Sequence, residues 1–103
     1  MNVTISARHC EIPDSLRSTT ERRVARLRRY HPRLAEAEVI YDLERVSHEA
    51  EIRLIVEGDG PVIAHGAGGT FDAALDIAVG RVSRQLKRGR ERRIARRVES
   101  PAP

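Results

Sequence analysis

The sequence predicts an α+β domain: a two-layer β-α-β-β-β-α sandwich, with a four-stranded sheet and both helices on one face. Four segments alternate apolar and polar residues, and two longer ones repeat at about 3.6 residues. Gly- or Pro-containing turns separate them, and one apolar face per element makes two packed layers. With 103 residues, 40% of them hydrophobic, the chain can fill one core and no second one.

Residues 2–8 put Val3, Ile5 and Ala7 on one face and Asn2, Thr4, Ser6 and Arg8 on the other, the pattern of a half-buried strand. Pro13 and Asp14 suit the first positions of a helix. From 15 to about 30, Leu16, Thr20, Val24 and Leu27 then fall in one narrow stripe. His31-Pro32 stops that helix, because the residue before proline avoids the helical region. Residues 37–43 alternate again, with Ala37, Val39, Tyr41 and Leu43 opposite Glu38, Ile40 and Asp42. After a connection through Arg45-Val46-Ser47-His48, residues 50–57 set Ala50, Ile52, Leu54 and Val56 against Glu51, Arg53, Ile55 and Glu57. Gly58-Asp59-Gly60-Pro61 reads as a turn into a short fourth strand, 62–64, which dissolves into Gly66-Ala67-Gly68-Gly69. Thr70 is the expected N-cap of a second helix running to 97, with Phe71, Leu75, Ala78, Val79, Val82 and Leu86 as its stripe. The helix between the first two strands makes them parallel through a right-handed crossover; the other pairings are antiparallel. The domain is expected over 1–97, and 98–103, with Ser100-Pro101-Ala102-Pro103, as a disordered tail or the start of a linker.

Several function classes find no support in the residues. No apolar run is long enough for a transmembrane helix, and Met1-Asn2-Val3-Thr4 does not begin a secretory signal. The single cysteine, Cys10, has no internal disulfide partner, which suits a cytoplasmic location. His9, His31, His48 and His65 lack paired metal-ligand spacing, so no metal site is expected. Arg8-His9-Cys10-Glu11 gathers nucleophile, base and acid types, but neighbours in a strand point to opposite faces. The glycine-rich stretch before the second helix lacks the Lys-Ser/Thr of a phosphate loop and reads as a turn. An enzyme with Cys10 as nucleophile is therefore the weakest reading. No cofactor, small-molecule substrate or membrane is expected.

Charge is the informative feature. Residues 34–80 hold ten acidic side chains and two basic ones, Arg45 and Arg53, while the flanks hold seventeen basic and five acidic. A net charge of +4 thus conceals a strongly polarised molecule, and a concentrated positive field attracts polyanions, nucleic acid first. Arg22, Arg26, Arg29 and Arg33 repeat at four, three and four residues opposite the first helix's apolar stripe, flanked by Arg17, Arg23 and Arg28. Between 81 and 97, Arg81, Arg84, Lys87, Arg88, Arg90, Arg92, Arg93, Arg96 and Arg97 crowd the second helix against one acid, Glu91. Its apolar stripe ends at Leu86, so the last turns should project beyond the sheet as a basic rod. A charged face can be merely solvated, but such faces interleave both signs. With Tyr30, Tyr41 and Phe71 as its only aromatics and an acidic open sheet face, the chain is not expected to stack bases on its sheet. Binding should run through the helices to phosphates.

These residues resemble the bacterial ribosome hibernation promoting factors and protein Y over about 2–93. The resemblance is carried by Ile5-Ser6-Ala7-Arg8-His9 with Glu11-Ile12 and Leu16-Arg17, by Ala25-Arg26-Leu27, and by Val46-Ser47-His48. Ala73-Ala74-Leu75-Asp76, Arg81 and Arg84-Gln85-Leu86 with Arg88, Arg90 and Arg92 continue it, whereas Thr70-Phe71-Asp72 and Gly80 depart from the family's pattern. The resemblance implies a fold related to double-stranded RNA binding domains. It also implies binding to rRNA of the small ribosomal subunit in the tRNA and mRNA channel, silencing ribosomes in stationary phase or stress. The implied contacts are Arg23, Arg26, Arg81, Arg84, Arg88, Arg90 and Arg92; the charge pattern adds Arg22, Arg29 and Lys87. Long members carry a second, dimer-forming domain, so a second domain or a homodimer is possible if this is part of a long form. The competing function is a free-standing double-stranded RNA binding module. Such modules begin with a helix, while this chain begins with a strand.

Overall fold

The structure, a computed structural model, describes residues 2–99, and side chains as far as Arg92. In chain order it comprises β1 (Asn2–Arg8), α1 (Asp14–Tyr30), β2 (Leu34–Glu44), β3 (Ser47–Val56), β4 (Gly60–Gly68) and α2 (Phe71–Glu99). The sheet order is β1-β2-β3-β4, with β1 parallel to β2 and the other neighbours antiparallel. The α+β sandwich expected from periodicity is the fold observed.

One face of the sheet meets the helices. Val39 and Tyr41 of β2, Ile52 and Leu54 of β3 and Ala64 of β4 are buried there, with Leu16, Val24 and Leu27 of α1 and Leu75, Val82 and Leu86 of α2. Each such aliphatic side chain contributes about 1.5–3 kcal/mol when fully buried. Thr20 belongs to this core as expected. Its hydroxyl lies 2.7 Å from the Leu16 carbonyl, to which it donates, and 2.6 Å from the Tyr41 hydroxyl. A hydroxyl has one proton, so Tyr41 must donate to Thr20. Phe71 sets its ring edge-on to Tyr41 and to His48, at centroid distances of 5.4 and 4.7 Å, closing the end of the core where α2 begins. Thr70 caps α2 as expected, accepting the Ala73 N–H at 3.1 Å.

The strands are longer than their alternation suggested. β2 starts at Leu34 and β3 at Ser47, which shrinks their connection to Arg45-Val46, with Arg45 in the left-handed region at φ +55°. β4 includes Gly66, Ala67 and Gly68, correcting their reading as a turn. A side chain at Gly66 would put its Cβ 2.2 Å from the Ala74 carbonyl oxygen and 2.8 Å from the Ala78 nitrogen. Glycine there lets α2 lie directly on the strand; it marks close approach, not a chain break.

Two further expectations change. Arg33 is not on α1, because the helix closes at Tyr30, where the His31 N–H donates to the Leu27 and Arg28 carbonyls. Arg33 lies in the following turn, its carbonyl accepting the Glu57 N–H at 2.9 Å. Ile40, grouped by alternation with the solvated face, is only 6% exposed, since it sits mid-strand between Ser6 and Glu51 on neighbouring strands. At the other end, α2 is helical to Glu99, two residues past the expected domain boundary, and 100–103 lie outside the described residues.

Candidate nucleic-acid interface

β4 runs parallel to β1 because two antiparallel steps separate it from β2. The helices that follow β1 and β4 therefore return in the same direction, side by side over the sheet. The end of α1 and the part of α2 just past Leu86 lie together at the β3–β4 turn, where Arg29, Asp59 and Arg88 line one cleft. Arg28 and Arg29 occupy the last turn of α1, where cations offset the partial negative charge of the helix end. No residue of α2 from Lys87 to Arg92 is buried. At 1.5 Å per residue, the stretch from Lys87 to Glu99 carries the helix about 20 Å beyond Leu86, its last core residue among the described ones. The projecting basic helix is thus observed as far as side chains are described; those of Arg93, Arg96 and Arg97 lie outside the described residues.

The structure sorts the ten candidate cations into two groups. Arg23 donates from Nη1 to Asp76 Oδ1 at 2.5 Å and ties α1 to α2. Arg81 donates from Nη1 to the His65 carbonyl at 2.7 Å. Gln85, one turn on, donates to the Ile63 carbonyl at 3.0 Å. Together Arg81 and Gln85 occupy outward-facing acceptors of β4, an edge strand that would otherwise offer them to another chain. Arg22 makes a local bond to Thr19 Oγ1 at 3.2 Å. Arg26, Arg29, Arg84, Lys87, Arg88, Arg90 and Arg92 are all exposed. Among the described residues the side chains of these seven take part in no hydrogen bond or ion pair. Charges that the fold leaves unpaired are the ones available to a polyanion.

The opposite sheet face is acidic, as expected, but partly compensated. Arg53 reaches Glu51 at 2.7 Å and Glu38 at 3.9 Å, His65 stands 3.4 Å from Glu49, and His9 Nδ1 is 3.0 Å from Asp42. Ile55 and Ile63 are exposed on that face. Desolvation, with the nearby Asp42 charge, raises the Cys10 thiol above the ordinary value. Among the described residues no helix is long and apolar enough to cross a membrane.

A four-stranded sheet with one acidic face and two parallel helices packed on the other, along which seven of the candidate cations stand unpaired, defines a two-layer α+β domain. Comparison with known proteins agrees with that fold class. The family model described as Sigma 54 modulation protein / S30EA ribosomal protein matches residues 3–94. A ribosome hibernation promoting factor of Azotobacter vinelandii is 31% identical over 108 residues, covering 100% of both chains. That of Escherichia coli K12 is 28% identical over 92 residues, covering 89% of this chain and 96% of the relative. The crystal structure of the Thermus thermophilus protein Y N-terminal domain superposes with a TM-score of 0.76 at 34% identity, covering 85% of this chain and 98% of that one. A ribosomal subunit interface protein from Coxiella burnetii shares the fold, with a TM-score of 0.82 at 14% identity over 88% of this chain and 99% of that one. The chain belongs to the Sigma 54 modulation protein / S30EA family, that of the ribosome hibernation promoting factors. Membership places it among non-enzymatic factors.

Neither Tyr30, exposed at the end of α1, nor Gln85 is among the contact residues expected from the sequence. Nothing in the periodicity distinguishes an exposed helix-terminal tyrosine, and the role of Gln85 depends on a strand edge that only the fold creates.

Proposed function

We propose that the chain is a cytoplasmic ribosome hibernation factor. It binds rRNA of the small ribosomal subunit through both helices, lies in the channel used by tRNA and mRNA, and inhibits translation by occupancy in stationary phase or stress. The observation that carries this reading is the set of seven unpaired cations along the two helices, in a chain whose relatives are named for ribosome hibernation. Charge fixes the orientation: the helices face phosphates, and the acidic sheet faces away from them. Phosphate contact by an array of helix-borne cations reads backbone shape more than base sequence, which suits one fixed site on a conserved RNA scaffold. No bond need be made or broken, since a domain lodged in the channel excludes its normal occupants. Arg26, Arg29, Arg84, Lys87, Arg88, Arg90 and Arg92 are assigned as the principal phosphate contacts, with Arg22 beside them. Arg23 and Arg81 chiefly hold the two helices and the strand edge in place.

Sedimentation of the purified protein with isolated ribosomal subunits tests this directly. The protein should travel with the small subunit at low salt and leave it as salt rises. Protein remaining at the top of a low-salt gradient would defeat the proposal.

A further inference from the structure

We propose that the cleft beneath the projecting end of α2 receives one unstacked nucleobase, with Tyr30 as its stacking surface. This deepens the reading of the helical face as an rRNA-binding surface and rests on it. The cleft, about 1240 Å³, opens between the end of α1, the β3–β4 turn and α2 beyond Leu86. Its walls differ in chemistry from the rest of the basic surface. Val56 and Leu86, 5% and 6% exposed, supply an apolar floor with Val62 beside them. Arg29, Arg33, Arg88 and Arg92 line it as well, outnumbering the acids Asp59 and Glu91. Tyr30 also lines it and is 64% exposed, and among the described residues its ring packs on no other aromatic.

An uninterrupted duplex has no use for such a place. It presents phosphates outside and keeps its bases stacked within, so cations alone would serve it. A base turned out of its stack is a flat apolar surface flanked by two phosphates. It matches an apolar floor, an aromatic face and a rim of guanidinium groups. The open sheet face stays excluded as a base-reading platform by its carboxylates. The aromatic that serves is therefore on a helix end, away from the sheet.

The test compares two RNA hairpins, one with an uninterrupted stem and one with a single bulged nucleotide in the same stem. Affinity is read by anisotropy of end-labelled RNA, and base contact by intrinsic tyrosine emission. The chain has two tyrosines and no tryptophan, and Tyr41 is fully buried, so quenching by RNA reports Tyr30. The bulged stem should bind about tenfold more tightly than the paired one, within the range base–aromatic stacking provides, and quench the emission. Tyr30→Leu should bind both stems with the wild-type affinity for the paired stem, and Tyr30→Phe should keep the preference. Equal wild-type affinity for the two stems, or a preference that survives in Tyr30→Leu, would overturn the assignment of the cleft while leaving the phosphate-binding face intact. Loss of affinity for both stems alike in Tyr30→Leu would overturn it too, by making Tyr30 a support for the helix end. Failure of the wild type to bind either stem would overturn the rRNA reading, and the cleft's role with it.

Discussion

Replacing Arg84, Arg88 and Arg92 together by Gln removes three of the seven candidate contact cations that the fold leaves unpaired, all from one side of α2. Each phosphate contact releases counterions and contributes about 0.7–0.9 to the slope of log K against log salt. Seven contacts give a slope of about −5 to −6, and four leave about −3 to −3.5. At 0.1 M salt the same arithmetic lowers affinity by about two to three powers of ten. The fold should be untouched, because the three side chains are exposed and bonded to nothing described, and Gln propagates a helix nearly as well as Arg. Filter binding to small-subunit rRNA across a salt series, with circular dichroism as the folding check, reads both quantities. Glu36, Glu44 and Glu57, exposed and away from the helical face, provide the control: their replacement by Gln should leave the slope nearly unchanged. An unaltered slope in the arginine triple variant would refute the reasoning and return the projecting helix to a solvated charged face.

Arg23→Gln and Arg81→Gln should lower the slope by less than one unit each and act more on stability, since their guanidinium groups bond Asp76 and the His65 carbonyl; urea unfolding beside the same salt series separates the two effects. Thr20→Val should cost about 1–3 kcal/mol by stranding the buried Tyr41 hydroxyl, and Tyr41→Phe about 1 kcal/mol, while the double variant should cost less than their sum in a denaturation cycle. Gly66→Ala should destabilise by about 3 kcal/mol or fail to fold, because its methyl group meets the backbone of α2; urea titration measures it, and a neutral outcome would contradict the contact of α2 with β4.

Most of the fold was legible in the sequence because each element carries one clean period. Leu16, Thr20, Val24 and Leu27 are the buried positions of α1, and six positions named for α2 face the core or its edge. Strand pairing followed from connection lengths, since a helix forces a parallel crossover and short turns force antiparallel neighbours. What escaped was information that no local pattern holds. Gly66 looks like a breaker until α2 is laid across it, and Ile40 looks solvent-facing until β1 and β3 close on either side. The cations were legible as a set, but charge alone does not say which are spent inside the molecule. Arg81 could be recognised as an edge cap only once Ile63 and His65 were seen with their carbonyls turned outward. The cleft beside Tyr30 likewise joins three distant segments, and it becomes visible only when α2 passes over the end of α1.

The central claim, that the domain acts by occupying one site per ribosome, is tested most directly by titrating it into a translation reaction at known ribosome concentration. The account predicts inhibition that rises with added protein and saturates near one molecule per ribosome, with the Arg84, Arg88 and Arg92 variant requiring a large excess. Full inhibition at a small fraction of one protein per ribosome would contradict it, since only a catalytic agent could silence many ribosomes each.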